Sequence, residues 1–209
     1  MKRRTYVLVP VLVGFALAMG TTAWGQAQAH LDHVQTSWKD TPGQVGLVTI
    51  LEEEAKIAAQ HAKFAASNTE DFDNVKLHTP HVQHAIDPGV VTQGPGKGYG
   101  LIRAAQGVMA HMDFARNSPD ASGSTKTHAE HVIRSAKNVV RWGHEIATQS
   151  SYIVGGTSEF SAGFYAEEIV KMTGWILNGR DADGDGQISW QEGEGGLAQI
   201  KQHLGFIQQ

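Results

Sequence analysis

The chain of 209 residues contains no cysteine. That excludes disulfides, thiolate metal sites, thioether-attached haem and cysteine nucleophiles together. Positive charge is also scarce. Lys and Arg number 17 against 21 Asp and Glu, for a formal charge of −4. No basic block occurs, which argues against nucleic acid and anionic membrane surfaces as partners. No run alternates apolar and polar residues over a useful length, so strands are not expected. There is no nucleophile motif, no paired acid–base signature and no cofactor fingerprint, and the chain is not expected to be an enzyme.

The apolar run that is present stands at the start. Lys2, Arg3 and Arg4 precede an apolar stretch over 6–19, and Ala27-Gln28-Ala29 forms an A-x-A site. Residues 1–29 therefore read as a cleaved signal peptide. The run is short for a membrane span. The mature chain is expected to be periplasmic or secreted, without a membrane anchor. Loss of the three basic residues takes its formal charge to −7.

Apolar positions recur at helical spacing after that. The spacing predicts helices over 44–66, from 67 or 68 to 87, and over 99–116, 128–150, 159–178 and 197–207. Residues 30–40 read as a polar-aromatic lead-in. Thr41, Pro42 and Gln44 read as a capping box for the first helix, and Thr127 with Glu130 as another. Pro80 is expected to kink or split the second helix. The glycine-rich loop 94–100 is similar to phosphate-binding loops in composition only and reads as a linker. The expected fold is all-α: an antiparallel four-helix bundle over 30–154, with a helix–loop–helix appended over 155–209.

Residues 181–192, D-A-D-G-D-G-Q-I-S-W-Q-E, resemble an EF-hand calcium loop. The resemblance implies ligands from Asp181, Asp183, Asp185, the Gln187 carbonyl, Ser189 and Glu192, with Gly186 at the sharp turn. No second loop accompanies it. Gly193, Gly195 and Gly196 read as weakening the helix that follows. A structural or low-affinity calcium site is expected, and pairing of two loops across a homodimer would complete the hand.

Eleven histidines remain. His61 and His111 fall on apolar helix stripes. His81 and His84, like His128 and His131, are three apart and share a helix face. Inward imidazoles on facing helices are how bundles hold copper, zinc, iron or haem. His61, His81, His84, His111, His128 and His131 are thus candidates for a second metal. Each equally suits a hydrogen-bonded core or surface histidine. No Glu-x-x-His pair occurs twice, against a di-iron centre. Cleavage after Ala29 would leave His30 as the first residue, with His33 three on. This resembles histidine-brace copper proteins in the terminal residue only.

Two readings follow. The first is an exported calcium-binding helical protein. The alternative is a bundle that binds copper, zinc, iron or haem for storage, delivery or sensing.

Overall fold

The computed structural model describes residues 25–207. The predicted signal segment lies outside the described residues as far as Trp24. The described chain is all-helical: α1 (Gln26–Gln35), α2 (Leu47–Ala66), α3 (Phe72–Ile86), α4 (Leu101–Asn117), α5 (Gly123–Val154), α6 (Glu159–Asn178) and α7 (Leu197–Ile207). No helix among these residues is long and apolar enough to cross a membrane.

α1 occupies the stretch expected to be a lead-in, and Gln26–Ala29 form its first turn. Only Ala27, Leu31 and Val34 are buried on it. Its start is tied by Asp120, whose carboxylate accepts from the backbone N–H of Gly25 at 2.6 Å and of Ala27 at 3.1 Å.

The turn at Pro42–Gln44 does not open α2, because Gly43 and Gln44 both take positive φ, 71° and 54°. α2 starts at Leu47 and buries Leu47, Ile50, Leu51, Ala55, Ala58, Ala62 and Ala65 along one stripe.

α3 runs through Pro80 without a break. The carbonyl that the missing N–H leaves free belongs to Lys76, an exposed residue. α5 begins earlier than its expected capping box. Ser122 Oγ accepts from the Thr125 N–H at 2.9 Å and caps the helix there. Thr127 and Glu130 consequently lie inside α5, and Glu130 pairs with Arg116 and Arg134 instead.

One apolar cluster runs through all seven helices, with Trp142 its largest fully buried side chain. α4 packs on α5, α2 on α3, α5 on α7, α2 on α6 and α1 on α4. α6 belongs to the expected C-terminal unit, yet its Ala162, Ala166, Ile169 and Ile176 join this same cluster.

Gly195 and Gly196 precede α7 rather than dilute it. A Cβ on Gly196 would meet the Trp175 carbonyl oxygen, and one on Gly195 would meet Ser135 Oγ. These glycines let the loop after α6 lie directly on α5 and α6.

The loop before α4 binds an anion, but an internal one. The buried Glu54 carboxylate accepts from the backbone N–H groups of Lys97 at 3.2 Å, Tyr99 at 3.0 Å and Gly100 at 3.1 Å.

Candidate metal centres

The helix pairs bring nine of the eleven histidines into three triads. In each triad, one helix supplies a His-x-x-His pair, whose members share a face because they are three apart. The facing helix supplies a single histidine. α1 gives His30 and His33 against His111 of α4. α3 gives His78 and His81 against His61 of α2. α5 gives His128 and His131 against His203 of α7.

The lone histidine always opens a His-x-x-Phe: His61 with Phe64, His111 with Phe114, His203 with Phe206.

The three arrangements superimpose in their distances. The lone Nδ1 lies 3.1, 3.1 and 3.0 Å from the Nδ1 of His30, His78 and His128 in turn. His33 and His131 place Nδ1 3.3 and 3.4 Å from His111 and His203. His81 Nδ1 is buried with no hydrogen-bond partner. Its ring is 4.8 Å from that of His61, against 4.7 and 4.6 Å in the other triads. The phenylalanine ring lies 5.1 Å from His30, 5.2 Å from His78 and 5.2 Å from His128.

Three Nδ1 lone pairs pointing at one another repel unless a cation sits among them. A proton satisfies one pair of nitrogens at a time, whereas a metal ion satisfies all three. Metal–imidazole bonds of ~2.0–2.1 Å separate the donors by about 3.3–3.6 Å at bond angles of about 110–120°, a few tenths of an ångström wider than the closest pairs already present.

Six of the nine rings are held below the ordinary imidazole value, which favours the neutral form that ligands must have. Burial, then the neighbouring His33 and His30, pushes His111 down to about 4. Burial, then His131 and His128, does the same to His203, also to about 4. Burial is the leading cause of the lowered values of His30, His61, His81 and His131.

The six sequence candidates for a second metal fall into different groups. His61 and His81 come together, as do His128 and His131. His111 joins His30 and His33. His84 belongs to no triad: its ring Nδ1 bonds the Val91 carbonyl at 2.6 Å, which ties down the loop after α3. The partner of His81 is His78, so α3 carries two overlapping His-x-x-His pairs, 78/81 and 81/84, of which the first forms the site. His203 went unassigned. The signal that would have found both was His-x-x-Phe recurring three times beside His-x-x-His.

At the acidic loop, Asp181, Asp183 and Asp185 bring carboxylate oxygens within 4.8 Å of one another on an exposed surface. Asp181 accepts from the N–H of Gly184 at 2.7 Å and of Gly186 at 2.9 Å, and Asp185 from that of Gln187 at 2.7 Å. Ser189 donates its N–H to Glu194 at 2.9 Å. Glu194 is the buried carboxylate beneath the loop. Glu192 is exposed and borders a cleft with Arg134, Lys137, Asn138 and Arg141.

Comparison with protein-family models, with curated proteins and with solved structures finds no match.

Proposed function

We propose that the protein binds three transition-metal ions, one in each histidine triad, and serves to store or deliver them. The observation that carries this is the threefold recurrence of one geometry on three different helix pairs. A single buried histidine cluster has many structural explanations. Three with the same Nδ1 facing, the same spacing and the same phenylalanine have one chemical requirement in common, a cation at the point where the nitrogens converge.

The donor chemistry supports copper, zinc or iron over calcium or magnesium at these points, since imidazole suits the former and hard cations take oxygen. Haem is disfavoured. Two axial imidazoles stand on opposite sides of one iron, with nitrogens about 4 Å apart and the macrocycle between them. The triads leave no slot of that kind. We read the protein as a carrier rather than an enzyme. Four clefts, bordered by Glu192, Tyr165, Phe164 and Tyr99 in turn, take in none of the triad histidines. The amino-terminal basic and apolar run supports export, so the ions would be held in the periplasm or outside the cell.

Elemental analysis of tag-free protein, loaded and then desalted, tests the reading. Three ions per chain are expected. Retention of none would overturn it.

A second reading concerns the 181–192 loop. Its three convergent carboxylates support calcium as an accessory ligand there. Calcium would then brace the loop that carries Trp190, not supply the main function.

A further inference from the structure

Resting on the metal reading of the triads, we propose that they select monovalent copper, held by three imidazole nitrogens with no fourth ligand.

The first argument is charge. Each triad group consists of histidine alone, with no carboxylate among its donors. Beside the third triad, the Glu130 carboxylate is already paired with Arg116 and Arg134. The donor groups themselves therefore bring no negative charge to balance an ion. A divalent ion would leave two uncompensated charges in a half-buried, neutral box, and a monovalent ion leaves one.

The second argument is coordination. Zinc bound by three histidines keeps a fourth position for water, and divalent copper prefers a tetragonal set. Beside these donors stand aromatic rings. Phe64, Phe114 and Phe206 lie 5.5, 6.0 and 5.5 Å from the lone histidines and closer still to the first member of each His-x-x-His. In the first triad Trp38 packs 4.6 Å from both His33 and His111. In the third, Trp190 lies against His131. Hydrocarbon covers one side of each site, while the outer faces of Phe64, Phe114 and Phe206 meet solvent at 41, 54 and 37 % exposure. Monovalent copper has a filled d shell, no ligand-field preference and a stable three-coordinate state, so this shell costs it least.

The phenylalanines are thus specificity residues. Their rings offer no donor, and their service is to stand on the fourth side of each site as a cover that cannot ligate.

The test is an anaerobic competition on tag-free protein. The apo chain is titrated with the copper(I)–acetonitrile complex against bathocuproine disulfonate, and in parallel with zinc sulfate against a chromophoric chelator. X-ray absorption is recorded on the loaded forms. Three copper(I) equivalents are expected per chain, undisplaced by equimolar zinc, with three nitrogen scatterers and no fourth light atom. The Phe64→Ala/Phe114→Ala/Phe206→Ala variant is expected to lose that discrimination, so that zinc competes, while circular dichroism reports whether its helices persist. A Phe114→Leu variant, which keeps the site apolar, is expected to retain it. Zinc or copper(II) bound at the triads in preference to copper(I), or a fourth oxygen on bound copper(I), would overturn the proposal but leave the metal reading standing. Failure of every ion to bind at the triads would overturn both.

Discussion

Trp190 lies flat on His131, with ring centroids 3.8 Å apart and planes 12° from parallel. Trp190 stands in the acidic loop and His131 on α5, so the stack joins the loop to the third triad. Trp38 packs against the first triad at a steep angle instead, its plane 59° from that of His33 and 67° from that of His111. Among the described residues the second triad has no tryptophan neighbour. An ion bound at the first or third triad is expected to quench tryptophan emission, while the second fills silently. Titration of a Trp38→Phe/Trp190→Phe variant checks this. Its emission, recorded with Trp24 also replaced by phenylalanine, should stay flat, since the two tryptophans left, Trp142 and Trp175, pack on each other. Quenching that survives in this variant would place the ions elsewhere.

The apo protein is expected to lose stability as the pH falls from about 6.5 toward 4. His111 and His203 titrate near 4 in the folded chain and at the ordinary 6.5 when unfolded. Between those values the unfolded chain binds more protons, so stability is complete above 6.5 and drains away as acid is added. Thermal melts at pH 4.5 and pH 7 measure it. Saturation of the triads should raise the melting temperature at pH 7, because the ion binds only the folded triads. An unchanged apo melting temperature across this window would contradict the described burial of these rings.

Glu54 is expected to be a stability residue. Its buried carboxylate receives three backbone N–H groups of the loop before α4. Glu54→Ala leaves those donors without a partner and should cost about 3 kcal/mol in denaturant unfolding. No triad contact is lost, so ion stoichiometry should stay at three. A cost within experimental error would mean that water replaces the carboxylate without penalty.

Much of this was legible beforehand. α6 and α7 have the residue ranges the apolar period indicates, and α2 differs only at its start. His61 and His111 on their inward stripes were visible as well, but His203 was not. α1 was not, because a helix that buries only Ala27, Leu31 and Val34 has little apolar period, and its first turn coincides with an A-x-A site. The triads were not legible as groups. Their partners are 81, 17 and 75 residues apart in the closest Nδ1 pairs, and the overlapping pairs of α3 offer two registers. The tertiary packing of α3 on α2 settles that choice in favour of His78. The glycines before α7 suggested a weak helix because their use, close approach of backbone to α5 and α6, involves distant residues.

The start of α1 bears on processing. Cleavage after Ala29 would remove the first helical turn and both N–H groups that bind Asp120. If the chain is exported, amino-terminal sequencing is expected to find a mature start upstream of Ala27, with that turn intact. A start at His30 would contradict this, and would restore the terminal amine of a histidine brace.

Calcium at the 181–192 loop is expected to give measurable heat at millimolar concentration on the order of 10⁻³ M and to leave triad occupancy unchanged. Asp181→Asn should abolish the heat. Absence of heat and of any melting shift in the parent protein would remove calcium from the account.

The most direct measurement of the central claim is native mass spectrometry of the metal-loaded, tag-free chain beside His61→Ala, His111→Ala and His203→Ala. Three ions are expected on the parent and two on each variant, because each substitution dismantles one triad and leaves the other two intact. A parent that carries no transition metal, or variants that keep all three ions, would contradict it.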